Sequence, residues 1–232
     1  MKSILTITIA SLVAATSASA LPFLSTEHVD IGIAFEAGAF DLHIHNETDD
    51  IEYAPNEAIL QVNPQAYELI PNDPNYSFLG TIGVDHVWRL PKTPNPALLY
   101  LGFGAEEIAP GTLDGDAFTI SLLSVTHGSG GKFTVYDVDA FNNPTVIFNS
   151  GDGITGADSF VFPTGGHADY NWTFSQEGDY AVEFKVDGLD GGTPVTSTAT
   201  YTFTVVPEPT SAALLAGGVI GLLARRRRSV LV

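Results

Sequence analysis

The sequence predicts an all-β protein whose main body is a β-sandwich. Apolar and polar residues alternate with period two along much of the 232-residue chain, and no stretch shows a sustained helical period. Glycine and proline interrupt the alternating segments at short intervals, for example at residues 71–74, 91–96 and 188–194. Many short strands at such spacing are typical of a sandwich of packed sheets.

The first two strands are predicted to form a hairpin. Residues 29–35 and 40–45 both alternate with period two, and the short segment between them contains Gly38. Further strands are predicted at residues 58–62, 84–90, 98–103, 117–125, 132–137, 145–148, 171–174, 180–186 and 199–206. Because these segments lie within residues 21–206, we take that range as the β-sandwich body.

An aromatic pattern near the end of the body resembles the tyrosine corner of immunoglobulin-like and PKD-like domains. It runs from Trp172 and Phe174 through Gly178 to Tyr180 at the start of the next strand. In a tyrosine corner the hydroxyl group bonds back to the backbone and fastens a loop between strands. We therefore expect an immunoglobulin-like part at residues 112–206. The periodicity leaves open whether residues 21–111 form a second unit or extend the same sandwich.

The first 20 residues have the features of a secretory signal peptide. Lys2 provides the basic start, residues 4–15 are apolar, and Ala18-x-Ala20 is a small-residue cleavage pattern. We expect export by the Sec machinery and cleavage by signal peptidase after Ala20. The alternative is an N-terminal membrane anchor, which is disfavoured because the apolar segment is short and no stop-transfer charge follows it.

The C-terminal segment, residues 207–232, combines three features in a fixed order. A Pro-Glu-Pro motif precedes an apolar helix at residues 212–224, which is shorter than the roughly 20 residues of a relaxed membrane span, and an arginine cluster follows. The motif and the cluster consist of Pro207, Glu208, Pro209, Arg225, Arg226, Arg227 and Arg228. This arrangement resembles the PEP-CTERM sorting signal of Gram-negative bacteria.

The resemblance to a sorting signal implies recognition by an exosortase, a membrane cysteine protease-transpeptidase. The transmembrane sorting helix would hold the chain transiently in the inner membrane, with the arginines in the cytoplasm. Removal of the tail would then deliver the body to the cell surface or the extracellular matrix. An uncleaved tail anchor is the alternative. In both cases the body works outside the cytoplasm.

Charge and cysteine content restrict the ligands of the body. Residues 21–206 contain four basic and 26 acidic residues, a formal balance of −22, whereas the whole chain carries −18. Such a surface repels phosphate backbones, so we expect no nucleic-acid partner. The absence of cysteine excludes disulfides, thiolate zinc sites and iron–sulfur clusters. A bound metal ion would therefore need imidazole and oxygen ligands.

Six ordered segments of the body resemble the choice-of-anchor M, or surface-anchored protein, domain. They are residues 28–32, 41–45, 52–58, 104–108, 143–149 and 166–172. The resemblance covers nearly the whole body and implies a shared domain that different members attach to the surface through different tails. Related actinobacterial proteins are associated with metal-type ABC transporters, which points towards metal binding.

Histidines of the first hairpin are the predicted metal ligands. His43 and His45 lie on one face of their strand, and His28 shares a face with Asp30. If these faces coincide in the hairpin, three imidazoles and the neighbouring carboxylates come within reach of one ion. We therefore expect a site for Zn²⁺ or a similar divalent cation at His43 and His45, with His28 as third ligand and Asp30 beside them.

Two other histidines are candidate fourth ligands or orienting groups. His86 follows Asp85, and His167 precedes Asp169 by two residues. The alternatives are an exposed polar face for the His-x-His pair and a loop-ordering hydrogen bond for His167. Calcium is less expected, because the carboxylates near residues 114–116, 137–139 and 151–153 do not match an EF-hand loop.

Enzymatic signatures are missing from the sequence, so we expect no enzyme. The chain has no HExxH, GxSxG, Walker A or GxGxxG motif. Glu106 and Glu107 are adjacent and would point to opposite faces of a strand. Trp88 and Trp172 are expected in the core rather than in a carbohydrate platform. The alternative to metal binding is a metal-free adhesive protein that contacts extracellular polysaccharide or another protein.

Overall fold

The computed structural model describes residues 20–208. Within this range the chain is built from β-strands and three short 3₁₀ turns, which is the predicted all-β class. The described part contains no helix that is long and apolar enough to cross a membrane. The predicted signal peptide and the predicted sorting helix at residues 212–224 lie outside the described residues.

Sixteen strands are found among the described residues. They are β1 Phe23–Leu24, β2 His28–Glu36, β3 Ala39–Asn46, β4 Ile51–Tyr53, β5 Ile59–Val62, β6 Tyr67–Leu69, β7 His86–Leu90, β8 Tyr100–Gly104, β9 Ala117–His127, β10 Phe133–Val138, β11 Pro144–Asn149, β12 Ser159–Pro163, β13 His167–Asp169, β14 Asn171–Phe174, β15 Gly178–Asp190 and β16 Thr193–Val205. The 3₁₀ turns are Pro64–Ala66, Pro74–Tyr76 and Asp114–Asp116.

The strands form three sheets. The first has the order β1-β5-β16-β15-β9-β12, the second β11-β10-β14-β7-β6 and the third β13-β8-β2-β3-β4. Early and late parts of the chain pair with each other in every sheet, as β5 with β16, β7 with β14 and β8 with β13. Residues before and after position 112 therefore share sheets and one continuous core.

An aromatic cluster joins the three sheets. Phe103 of the third sheet packs 5.2 Å from Trp172 of the second and 5.5 Å from Phe184 of the first, measured between ring centroids. Trp172 also lies 6.1 Å from Phe203 of the first sheet and is fully buried, with its Nε1 donating to the Leu101 carbonyl at 2.9 Å. The second and third sheets thus both pack on the first, an arrangement consistent with a β-sandwich.

Two hairpins close through turns of two residues. Glu36 pairs with Ala39 and Asp190 with Thr193. Gly191 and Gly192 both have positive φ, 54° and 80°, as a type I′ turn requires. The prediction that residues 188–194 interrupt the strands is wrong, because only these two glycines leave the ladder of β15 and β16.

The predicted tyrosine corner is confirmed. The Tyr180 hydroxyl donates to the Gln176 carbonyl and accepts from the Gln176 backbone N–H, both at 3.0 Å. The ring is buried beside Phe174, 5.1 Å away, and stacks on His127 at the end of β9, with ring centroids 4.3 Å apart. The turn before β15 is therefore held both by the hydrogen bonds of the Tyr180 hydroxyl and by the packing of the Tyr180 ring.

The first sheet ends one residue before the Pro-Glu-Pro motif. The Val206 N–H donates to the Val62 carbonyl at 2.9 Å, and the Val206 carbonyl accepts from Trp88 Nε1 at 3.2 Å. Pro207 follows directly. Trp88 is buried, as expected for a tryptophan of a β-sandwich. Its indole ring packs in the core and its N–H group holds the backbone at Val206.

Candidate metal centre

The outer face of the third sheet carries most of the predicted ligands. In the β2–β3 hairpin Asp30 pairs with His45 and Gly32 pairs with His43. Because paired residues point to the same face of a sheet, the polar faces of the two strands coincide, as the sequence suggested. The opposite face buries Val29, Ile31 and Ile44 in the core.

The predicted three-histidine group is divided between two places. His28 precedes Gly32, the partner of His43, by four residues, which is about 13 Å along an extended strand. On the same face of the sheet, His28 pairs with Tyr100 of β8, and β13 is the next strand beyond β8. His43 and His45 instead meet Glu107, which follows β8.

His28, Asp30, His167 and Asp169 form the first candidate centre, here called the four-ligand group. One ligand atom from each lies within 4.8 Å of all the others. His167 Nε2 lies 3.0 Å from Asp30 Oδ2, and His28 Nε2 lies 3.4 Å from Asp169 Oδ1. The two remaining imidazole–carboxylate separations are both 4.0 Å. A tetrahedral zinc ion with bonds of about 2.0–2.1 Å separates its ligand atoms by about 3.3 Å.

A glycine makes room for this group. β8 lies between β2 and β13, and Gly102 pairs with Asp30 on one side and Asp169 on the other. A Cβ atom on Gly102 would lie 2.6 Å from Asp30 Oδ1 and 2.8 Å from Asp169 Oδ1. The two carboxylates therefore approach each other across β8 only because this position has no side chain.

Asp30 is the most buried member of the four-ligand group. The residue is 1% exposed, and neither carboxylate oxygen has a partner with hydrogen-bonding geometry, although His167 Nε2 lies 3.0 Å away. Burial raises the pKa of Asp30 to about 6, against the opposing effect of His167 and His28. His28 Nε2 and Asp169 Oδ1 are also buried without a hydrogen bond. Buried polar atoms facing one another in this way require a cation or proton between them.

Tyr100 supports the group from β8. Its hydroxyl donates to Asp169 Oδ2, and its ring packs 4.5 Å from the His28 imidazole. Burial and the hydrogen bond to Asp169 raise the pKa of Tyr100 to about 12, so the hydroxyl remains a neutral donor. One oxygen of Asp169 is thereby held, while Oδ1 is left facing the imidazoles.

His43, His45 and Glu107 form the second candidate centre, here called the three-ligand group. One ligand atom from each lies within 4.8 Å of the other two. His43 Nε2 is 3.3 Å from Glu107 Oε1, and His45 Nδ1 is 2.9 Å from Glu47 Oε1. His43 is buried, whereas the Glu107 side chain is 40% exposed.

His86 lies in neither group. It is exposed on β7 of the second sheet and stacks on Tyr67, with ring centroids 4.7 Å apart and planes 9° apart. The turn carboxylates considered for calcium are not part of the two groups either. Asp114 Oδ2 accepts from the Gly192 N–H at 2.6 Å, and Asp137 forms an ion pair with Lys92.

Three contributors to the site did not emerge from the sequence. Glu107 was noted only as the neighbour of Glu106, and Tyr100 and Gly102 were not singled out. The pattern Gly102-x-Gly104 was the available signal, since two glycines on one face of a strand leave space that neighbouring strands can fill. That pattern does not reveal which strands are the neighbours.

Comparison with known protein families identifies the C-terminal segment. A model of the PEP-CTERM protein-sorting motif matches residues 205–228. No curated protein matches the chain. The motif marks an exosortase-targeted protein that is exported to the cell surface. Most of the matched segment follows the described residues, and its start coincides with the end of β16.

Proposed function

We propose that this exosortase-sorted surface protein binds a divalent cation, Zn²⁺ or a similar ion, through its four-ligand group. The carrying observation is Asp30, a buried carboxylate with both oxygens unpaired that faces His28 and His167. A divalent ion would balance the charges of Asp30 and Asp169, while two neutral imidazoles complete a tetrahedral ligand set. The role proposed is binding rather than catalysis.

Protonated histidines are the competing explanation for the group. Two imidazolium ions would also neutralise two carboxylates. The free-energy cost of removing four charged groups from water is then offset only if these groups form hydrogen bonds of good geometry. The absence of hydrogen-bonding geometry at both Asp30 oxygens and at His28 Nε2 therefore favours a shared cation. The separations of 3.0–4.0 Å bracket the ligand spacing of a tetrahedral ion.

We also propose that the body belongs to the choice-of-anchor M type. The metal ligands fall within the segments that carry that resemblance, since His28 and Asp30 lie in residues 28–32 and His167 and Asp169 in residues 166–172. Together with the sorting motif, this supports a displayed metal-binding domain whose attachment depends on its tail.

Metal analysis of the purified protein tests the proposal. We expect Zn²⁺ to bind the unmodified protein and one equivalent to be lost in Asp30→Asn and His167→Gln variants. His86→Gln serves as the matched control, because it removes an exposed histidine outside both groups. Unchanged stoichiometry and affinity in Asp30→Asn, with the native circular dichroism spectrum retained, would overturn the assignment.

A second candidate function is contact with extracellular polysaccharide. An open groove of about 630 Å³ is lined by the stacked rings of Tyr67 and His86 and by polar residues including Asp85, Lys132 and Glu177. Aromatic faces flanked by hydrogen-bonding groups suit sugar rings. Retention of the protein on immobilised polysaccharide should fall in a Tyr67→Ala variant. Equal retention of variant and unmodified protein would remove this candidate.

A further inference from the structure

We infer that His43, His45 and Glu107 bind a second divalent transition-metal ion and leave one coordination position open. This site lies on the same sheet face as the four-ligand group but shares no ligand with it. The inference extends the proposed metal-binding function and remains testable if the four-ligand group binds nothing.

His43 is the least exposed residue of the three-ligand group. It is 5% exposed, and both of its ring nitrogens are buried without a hydrogen-bond partner. A structural histidine in a core normally donates from one nitrogen and accepts at the other. An imidazole with neither nitrogen satisfied needs a further partner, and Nε2 points towards Glu107 Oε1 at 3.3 Å.

The position of His43 depends on Gly32. The two residues pair across β2 and β3, and the imidazole lies over the place where a side chain at position 32 would stand. A Cβ atom there would be 2.5 Å from His43 Cδ2. Each of the two groups therefore occupies space that a glycine leaves free. Gly32 makes room for His43, and Gly102 makes room for the carboxylates of Asp30 and Asp169.

Glu47 lies beside the next ligand, His45. Its carboxylate lies 2.9 Å from His45 Nδ1. When Nδ1 carries the ring proton, Nε2 is left as a donor for a metal ion. Carboxylates in this role are common behind zinc-bound histidines. Asp50 Oδ1 lies 3.7 Å from His45 Nε2, but this side chain is fully exposed and serves at most as an exchangeable ligand.

The solvent exposure of the three-ligand group determines how a metal ion bound there would exchange and take up further ligands. The Glu107 and His45 side chains are 40% and 21% exposed, whereas Asp30 of the other group is 1% exposed. Three protein ligands with access to solvent are typical of zinc sites whose fourth position holds water or a small external ligand. The second ion should therefore exchange faster and accept an added ligand such as azide.

Cobalt substitution separates the two sites. We expect the purified protein to bind two Co²⁺ ions and azide to change the visible absorption of only one. The azide-sensitive ion should persist in Asp30→Asn and be lost in a His43→Gln/Glu107→Gln variant, with at least tenfold weaker Co²⁺ binding. Glu177→Gln and His86→Gln are the matched controls, as both change exposed residues outside the groups.

Three outcomes would overturn the inference. They are a single Co²⁺ equivalent that disappears in Asp30→Asn, a spectrum unaffected by azide, or full binding of two ions in the double variant. If the His43 substitution prevents folding, Glu107→Gln alone decides the matter, because this exposed side chain has no role in the core. Retained azide sensitivity and affinity in that folded variant would equally contradict the site.

Discussion

Gly102 and Asp30 pair across β8 and β2, and a methyl group on Gly102 would lie 2.6 Å from Asp30 Oδ1. The distance is well below ordinary van der Waals contact, so the carboxylate would have to move. Since Asp169 approaches Gly102 from the other side, one added carbon would disturb two of the four proposed ligands.

A Gly102→Ala substitution should weaken Zn²⁺ binding at the four-ligand group by at least tenfold. The methyl group displaces both carboxylates from positions suited to one ion. A competition titration against a chromophoric chelator measures the change. Gly156→Ala is the matched control, since a Cβ atom there meets nothing within 4 Å. Equal affinity in the two variants would show that the carboxylates do not act together.

A Tyr100→Phe substitution should lower Zn²⁺ affinity by about 10–100-fold, the range for removal of a group that orients a ligand. The hydroxyl donates to Asp169 Oδ2, and the phenyl ring of the variant retains the packing on His28. The same titration reports the affinity, and thermal unfolding without metal shows whether the sandwich is intact. Undiminished affinity would mean that Asp169 needs no orientation by Tyr100.

Zinc should stabilise the protein against heat. At a free concentration 100 times Kd, a ligand that binds only the folded state contributes about 2.7 kcal/mol. For a domain of this size that corresponds to an increase in Tm of about 5–10 °C. Thermal unfolding with Zn²⁺ and with a chelator measures it. The increase should shrink in His167→Gln and persist in His86→Gln; an equal increase in both would place the binding elsewhere.

A Tyr180→Phe substitution should destabilise the body by about 1–3 kcal/mol without changing metal content. The hydroxyl satisfies both the N–H and the carbonyl of Gln176, and its loss leaves a partly buried backbone unit without partners. Denaturant unfolding gives the free energy. Tyr53→Phe is a suitable control on a half-buried tyrosine of β4. A cost below about 0.5 kcal/mol would contradict a structural role of this corner.

Local pattern was sufficient for the hairpin and the tyrosine corner. Period-two alternation on both sides of Gly38 specifies the strands and brings Asp30 opposite His45. Likewise, the interval from Gln176 to Tyr180 is short enough for the corner to be read along the chain. The face on which the ligands lie followed from the same alternation.

Long-range pairing decided the remainder of the site. Asp30 and Asp169 are brought together by β8, whose two neighbours come from opposite ends of the body. The alternation of residues within either segment does not reveal this strand order. Strands that are far apart in sequence pair in the order that buries the apolar residues of the whole core. For the same reason the sequence grouped His28 with His43, whereas the sheet places it with His167.

Val206 holds its two backbone hydrogen bonds at the point where the sorting motif begins. A cut or a new covalent bond at the Pro-Glu-Pro motif therefore removes no strand and adds no spacer. A protein joined to an anchor at this point would have no flexible linker between its last strand and the anchor. The distance of its binding sites from the anchor would then be set by the dimensions of the sandwich alone.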